Sequence, residues 1–411
     1  MKYCAFLLAF AALPAIAAAQ DRPVAPAPAA PVSPPRDVVV TGVRLKDTEA
    51  ALKACIARKC PPKEDIDATM AHAENEFVAG DYHGARQTLL GSVGRNRRYA
   101  KQYPIDVSDL MRANSRVAVH LGEGDDYLFS ANEVVRILKS GLAPDDYRVL
   151  GARVELADAY AKSRDVDLAL NTYRDVASRA HKLGLPGVEG YTRLREVGLL
   201  GALSEANVSG YGDMLRRAID SLVADRNPQL AAYAFGARPI RARIDARHGN
   251  ASAIDQMIAE YRRTAPVSTR TILLYSPPIV QNPASAARQA ASGETLNQMA
   301  MDDFDNQWVD ISFWVAPDGH VTDAGVLRQS SKLNDYWVKP IVTSLSGRRY
   351  APLAMDPSQP GVLRVERYTF TSRWTNNVTG SHMRQREPTP QVEMVDLTVD
   401  PPSGTQTAPS K

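Results

Sequence analysis

The sequence predicts an α+β protein: an all-α repeat region followed by a small domain with an antiparallel sheet. From about Glu64 to Arg263, apolar and small residues recur at helical spacing in a loosely repeating pattern. From Trp308 to Arg328, apolar and polar residues instead alternate on both sides of Pro317-Asp318-Gly319, which is typical of a β-hairpin. A chain of 411 residues has room for two or three such domains.

The N-terminus predicts export. Lys2 precedes an unbroken apolar run from Cys4 to Ala19, and Ala17–Ala19 offers small residues for cleavage, so residues 1–20 are interpreted as a secretory signal peptide. The run falls short of the roughly 20 residues of a spanning helix. We therefore expect a periplasmic protein. The alternative is an uncleaved segment that anchors the chain on the periplasmic side of the inner membrane.

Residues 21–47 are predicted to be a linker. Its first part is rich in Pro and Ala and favours extended polyproline II. Its second part, Asp37–Arg44, is rich in valine and resembles a stretch near the plug-domain start of TonB-dependent outer-membrane receptors. Two interpretations stand: a β-prone linker, or a strand that pairs with an open sheet edge of this chain or of another protein.

Cys55 and Cys60 are the candidate disulfide of the exported chain. In a continuous helix their side chains would point in different directions. Pro61 and Pro62 end the helix near Lys59, so the chain can fold back and close the bond. Two sulfurs alone do not make a closed zinc site, and we predict no bound metal.

Residues 48–265 are predicted to form a helical-repeat domain. The segment from His72 to Leu89 looks like a tetratricopeptide unit: small residues allow close helix packing, Gly80 ends the first helix and Tyr82 packs between the two. Residues 156–173 repeat the scheme, and residues 242–261 give a poorer third copy. A tetratricopeptide-like solenoid is the favoured interpretation, and an irregular helical bundle is the alternative.

The hairpin is followed by a helix and a long strand. Ser330-Ser331 is a candidate helix cap, and apolar residues from Leu333 to Leu345 recur every four residues. Pro340 lies inside this stretch, which requires a kink or a late helix start. The strand is predicted from Val362 to Trp374.

The order of these segments is similar to that of the C-terminal domain of TonB-type energy transducers. The similarity covers residues 268–375 and is carried by Pro317-Asp318-Gly319, Arg328-x-Ser330-Ser331, Arg349-Tyr350-x-Pro352 and Tyr368-Thr369-Phe370. The family usually has a Tyr-Pro motif shortly before the hairpin. This chain has Tyr275-Ser276-Pro277-Pro278 instead, about thirty residues ahead of it.

The resemblance implies a partner-binding edge on the last strand, to which partner segments would add. The residues expected to contribute are Trp314, Val365, Tyr368, Thr369, Phe370 and Thr371. TonB-dependent receptors are among the partners that the resemblance implies. Residues 384–411, rich in Pro, Thr, Ser and acids, are interpreted as a disordered tail.

No catalytic constellation is recognised, and no cofactor is predicted. The carboxylates of Met301–Asp305 lack the glycine and the distal glutamate of a calcium loop. Lys and Arg total 49 against 46 Asp and Glu, which gives no electrostatic reason to expect nucleic acid. The sequence predicts a non-enzymatic interaction scaffold of the bacterial envelope. The alternatives are an inner-membrane TonB-type transducer and an envelope enzyme of unrecognised chemistry.

Overall fold

The computed structural model describes residues 43–264, 269–279, 307–331, 333, 335–376 and 384–398. Within these residues a helical region comes first, and antiparallel sheets with one further α-helix follow it. The predicted α+β class is therefore confirmed. The signal peptide, Asp37–Gly42 of the β-prone segment and the acidic cluster Met301–Asp305 lie outside the described residues.

The helices of the repeat region follow one another with short connections. Their bounds are α1 Leu45–Ala57, α2 Pro62–Ala79, α3 Tyr82–Asn96, α4 Pro104–His120, α5 Gly124–Gly141, α6 Tyr147–Lys162, α7 Val166–Lys182, α8 Pro186–Glu205, α9 Tyr211–Val223, α10 Ala231–Arg247 and α11 Ala253–Thr264. Each helix packs on the next in sequence, and α2 packs on α4, α6 on α8 and α8 on α10. This is the arrangement of a tetratricopeptide-like repeat.

The α2–α3 hairpin shows why this sequence folds as a repeat. Gly80 adopts the left-handed conformation at φ +89° and ends α2, and the Asp81 carboxylate accepts the Gly84 N–H at 2.8 Å to cap α3. Ala73 and Ala85 are fully buried between the helices, where a larger side chain would separate them. At the α6–α7 turn Arg164 takes the left-handed position at φ +69°.

Helix α1 is fixed at both ends: a hydrogen bond to α2 holds the residues before it, and a disulfide links its last turn to the residues after it. Asn75 Nδ2 donates to the Val43 carbonyl at 2.9 Å. Cys55 and Cys60 form a disulfide with their Cα atoms 5.2 Å apart, because Lys59 turns the chain back at φ +54°.

The strands and the last helix form the second region. Their bounds are β1 Leu273–Tyr275, β2 Trp308–Val315, β3 Val321–Gln329, α12 Val338–Ser346, β4 Arg349–Tyr350, β5 Val362–Asn376 and β6 Arg384–Asp396. The larger sheet has four strands in the order β3-β2-β5-β6, all antiparallel, and β1 pairs with β4 in a separate two-stranded ribbon.

The larger sheet is covered on both faces. One face packs on α12: Val309, Ile311, Phe313 and Val315 alternate inward on β2, and the Trp337 ring stacks on Phe370 at 5.4 Å. The other face of the sheet lies against the helical region. The sheet domain and the helical domain therefore meet at this face. Most of the buried polar contacts described below lie at this domain boundary.

Two predicted features of this region take a different form. Helix α12 begins only at Val338, so Pro340 sits in the first turn, where its missing N–H removes no helical hydrogen bond. Ser330 does not cap this helix; its hydroxyl accepts the Trp308 N–H at 3.2 Å. The prediction of a disordered tail from residue 384 is wrong for residues 384–396, which form β6.

The hairpin turn yields a first testable prediction. Gly319 lies at φ +87°, and an added Cβ would meet the Tyr350 carbonyl oxygen at 2.1 Å. We expect Gly319→Ala to lower the free energy of unfolding by about 2–4 kcal/mol, from left-handed strain and backbone overlap together. Gly325→Ala on β3 is the matched control, since nothing lies within 4 Å of its added Cβ. Urea denaturation of both variants checks this, and equal midpoints would contradict it.

Candidate interaction surface

The six residues predicted for an open strand edge are not on one. β5 is an inner strand, flanked by β2 and β6, so residues 384–396 occupy the edge that was expected to receive a partner. Tyr368 and Phe370 point into the core beside α12. Thr369 and Thr371 are fully buried on the opposite face, and Val365 and Trp314 are half-buried. The predicted edge is therefore corrected to a buried strand.

Arg367 is the centre of the contact between the sheet and the helices. Its side chain is fully buried and forms a two-pronged ion pair with Asp310, at 2.6 Å from Nε and 3.0 Å from Nη2. The guanidinium lies 4.0 Å from the centre of the Trp308 ring. It also donates to the carbonyls of Phe77 and of Val78, the latter at 2.7 Å, at the C-terminal end of α2. The Phe77 carbonyl also accepts the Gly80 N–H at 2.9 Å, where α2 ends. Both carbonyls lie at the C-terminal end of α2, where the helix dipole is negative.

Thr369, two residues along the same face, joins two more helices. Its hydroxyl is 2.9 Å from the Tyr82 hydroxyl at the start of α3 and 2.8 Å from His120 Nδ1 at the end of α4. Burial lowers the pKa of His120 to about 3, and the positive charges of Lys162 and Arg367 act in the same direction. This histidine is therefore neutral and serves as a hydrogen-bonding group of the boundary.

The neutral His120 leads to a prediction of pH dependence. In the unfolded chain its pKa returns to 6.5, so below that pH the unfolded state binds a proton that the folded state does not. The stability is thus complete above pH 6.5 and falls with decreasing pH, by about 1.4 kcal/mol per pH unit. His120→Gln should remove this slope, and His83→Gln, at an exposed position, should keep it. Urea titrations between pH 4 and 8 measure both; equal slopes would contradict the assignment.

In addition to its pairing with β5, strand β6 makes charged contacts with the helical region. Lys162 pairs with Glu393 at 2.5 Å, and Arg164 pairs with Glu387 at 2.8 Å. Arg384 pairs with Glu123, and Arg386 donates to the Ser372 carbonyl at 2.5 Å. Burial raises the pKa of Glu393, which Lys162 opposes. The strand itself contributes little to the core, since Met394 is exposed and Val392 only half-buried.

The opposite edge of the sheet is formed by β3. This strand pairs only with β2 among the described residues, and most of its side chains are exposed. Val326 is 46% exposed and Leu327 is 38% exposed, which is unusual for apolar side chains on an edge strand. Its pairing with β2 is interrupted by two register shifts, and Asp323 adopts φ +52°. Irregularities of this kind locally increase the twist of a strand.

A second buried polar cluster lies inside the sheet domain. Arg348 donates to Glu366 at 2.8 Å, to the Tyr368 hydroxyl at 3.1 Å and to the Tyr350 hydroxyl at 3.2 Å. The Tyr368 hydroxyl in turn donates to Glu366 at 2.5 Å. Burial raises the pKa of Tyr368, and the Glu366 carboxylate adds to this effect. The cluster is enclosed by the core, so it is suited to fixing the β4–β5 geometry rather than to meeting a substrate.

A groove of about 550 Å³ lies between α9 and α10 in the helical region. Its floor is formed by Leu215, Ile219 and Ile244, and its rim carries both acidic and basic residues. Arg241 on this rim is paired with Asp220, so its charge is already balanced. The groove shows no set of converging groups that would define a reaction.

One cluster of potential metal ligands is found among the described residues. The ligand atoms of Cys55, Cys60 and Glu64 lie within 4.8 Å of one another, but the two sulfur atoms are bonded to each other in the disulfide. Within the described part of the chain, each helix is too short or too polar to cross a membrane.

Comparison with known proteins gives one kind of similarity. No protein-family model and no curated protein matches the chain. The crystal structure of a putative kinesin light chain of Podosopora anserina, with nearly identical TPR-like repeats, is similar at 15% identity and a TM-score of 0.38, over 50% of this chain and 99% of that one. A variant of the same protein gives the same identity and TM-score over 49% and 97%. At this TM-score, the repeat character of the chain rests on its own helix pairing.

Sequence reasoning missed the residues that hold the two domains together. The sequence pattern does not single out Arg367 or His120, and it places Asp310 only on the polar face of the predicted strand. One signal was available: Arg364 and Glu366 lie on one face of β5, and Arg367 follows directly on the other face, so the strand carries charges on both faces. Such charges need partners from elsewhere in the chain.

Proposed function

We propose that this chain is a non-enzymatic protein-interaction scaffold of the bacterial envelope, exported to the periplasm. Its sheet domain binds extended segments of partner proteins by strand addition at the free edge of β3. One observation carries this proposal. The sheet already accepts a polar segment, residues 384–396, as an added strand at one edge, and the other edge has no strand beside it among the described residues.

The free edge has the features that strand addition requires. Backbone N–H and C=O groups supply the affinity, and alternate side chains supply the specificity. Val326 and Leu327 offer apolar contacts, and Arg328 adds a charge that is 46% exposed even though it pairs with Asp310 at 2.6 Å. The similarity of residues 268–375 to TonB C-terminal domains supports envelope proteins as partners, with TonB-dependent receptors as the first to test. The helical repeat supports a scaffold, since stacked helix pairs present extended binding surfaces.

In-cell photo-crosslinking tests this proposal. A photoreactive phenylalanine derivative replaces Leu327 on β3 in one strain and Leu168 on α7 in a control strain; both positions are exposed. We expect Leu327 to crosslink to an extended segment of one or a few envelope proteins, identified by peptide mass spectrometry. Leu168 should give no such product. Equal crosslinking from both positions, or none from Leu327, would remove the proposal.

The same cells identify the compartment. A mature N-terminus near Gln20 in the soluble periplasmic fraction is the expected result. An intact segment Met1–Ala19 in the inner membrane would instead favour the anchored transducer.

A further inference from the structure

The order of the strands follows the order of the helices beneath them. Glu393 of β6 contacts Lys162 of α6, and Thr369 of β5 contacts His120 of α4. Next along the sheet, Trp308 of β2 lies against Gly80 at the end of α2, where an added Cβ would meet the indole at 2.3 Å. β3 comes after β2 in this series. Its free edge therefore faces the N-terminal side of the helical region, beyond α2.

The N-terminal chain emerges on this same side. Val43 is bound through its carbonyl to Asn75 of α2. Asn75 and Gly80 are separated by about 7.5 Å along the helix axis and by about 140° around it, at about 1.5 Å and 100° per residue. Trp308, which lies on Gly80, accepts the Ser330 N–H at 3.0 Å, just past the last residue of β3. The chain that precedes α1 thus begins beside the C-terminal end of β3.

The segment ahead of Val43 has a suitable length and composition. Seven residues, 37–43, span about 23 Å when extended, and β3 spans about 30 Å, at about 3.3 Å per residue. Three consecutive valines, Val38–Val40, and Thr41 favour the extended conformation. They would cover Val326 and Leu327, the apolar residues that β3 exposes.

We propose that residues 37–43 add to the free edge of β3 in the same chain as a further strand. Because Val43 lies beside the C-terminal end of β3, the segment would run parallel to β3. This inference rests on the proposed function, since it assigns a resident occupant to the edge at which partner segments bind. A partner must then compete with a tethered strand, whose effective concentration is on the order of millimolar.

Hydrogen–deuterium exchange of the whole chain tests the proposal. The variant V38D/V40D places charges in the segment, and A27D/A29D places the same charges in the Pro/Ala linker as a matched control. We expect amides of residues 321–329 to exchange at least tenfold faster in V38D/V40D than in the natural chain or in the control. Amides of β5 should be unchanged in all three. Equal exchange of residues 321–329 in the three proteins would overturn the proposal.

Dilution separates pairing within one chain from pairing between copies. Protection of β3 that is constant from micromolar to hundredfold higher concentration is expected. Protection that rises with concentration would mean that a second copy donates the segment, which overturns pairing within the chain. Photo-crosslinking at Leu327 should rise in V38D/V40D cells. Faster exchange in V38D/V40D with no crosslinked partner in any strain would remove the proposed function alone; a crosslinked partner with unchanged exchange would remove this inference alone.

Discussion

Arg367→Met is expected to lower the free energy of unfolding by about 3–5 kcal/mol. The substitution leaves the buried Asp310 carboxylate with only Arg328 as a charged partner, and it removes the guanidinium donors from the carbonyls of Phe77 and Val78 at the end of α2. Breaking one side of a buried ion pair costs this much because the remaining charge stays desolvated. Urea denaturation monitored by tryptophan fluorescence and by circular dichroism measures the loss. Trp308 contributes to the fluorescence signal, and its ring lies against the guanidinium.

Arg373→Met is the matched control. Arg373 is also on β5 and also pairs across the domain boundary, but its partner Asp125 is 71% exposed and 3.4 Å away. An exposed pair of this kind contributes about 0–1 kcal/mol. The double variant Asp310→Asn with Arg367→Met should recover part of the loss, because it removes the unpaired charge. A loss for Arg367→Met no larger than for Arg373→Met would contradict the assigned role.

Removal of residues 384–411 is expected to destabilise the sheet domain by on the order of 5 kcal/mol. Strand β6 is paired with β5 at ten positions from Glu366 to Asn376. Each backbone hydrogen bond of this pairing stabilises the fold by about 0.5–1.5 kcal/mol net. Together they outweigh the unfavourable free energy of burying the Glu393 carboxylate. Loss of the strand also leaves Lys162 and Arg164 of the α6 end without their partners. Exchange of β5 amides should accelerate, and the urea transition should shift to a lower midpoint.

Removal of residues 399–411 alone is the matched control, because β6 and Thr398, which bonds to Val365, remain. This shorter deletion should leave both readouts unchanged. If the two deletions behave alike, β6 does not stabilise the sheet.

The sequence was sufficient for elements whose stabilising contacts are close in the chain. The β2–β3 hairpin was predicted from alternation and from Pro317-Asp318-Gly319, and the turn follows this pattern with Asp318 accepting the His320 N–H at 3.0 Å. The α2–α3 hairpin was predicted from Gly80, Tyr82 and the small residues that allow close helix packing. In each case the information that defines the element lies within about twenty residues of it.

Strand β6 could not be predicted in this way. Its sequence is polar and includes Pro388 and Pro390, which lowers its intrinsic preference for a strand. Proline is tolerated because β6 is an edge strand, where one side of the backbone needs no partner within the sheet. The contacts that fix β6, such as Glu393 with Lys162, join residues more than 200 positions apart. No local pattern records such a pairing.

The site residues show the same division. Thr369 and Tyr368 were correctly placed on adjacent positions of one long strand, but the edge assigned to them required knowledge of what lies beside β5. The partners of Thr369, Tyr82 and His120, belong to helices that are 287 and 249 residues away in sequence. The sequence shows that Thr369 is a polar residue that needs a hydrogen-bond partner. Only the fold shows that its partners belong to this chain and not to another protein.

The most direct test of strand addition at β3 is amide exchange in the presence of a partner segment. The segment crosslinked at Leu327 is synthesised as a peptide and added at saturating concentration to the whole chain carrying V38D/V40D, in which residues 37–43 do not occupy the edge. We predict slower exchange for alternate amides of residues 321–329, with β5 and the helices unchanged. Protection confined to the groove between α9 and α10, or protection of β5 with loss of protection in β6, would contradict it.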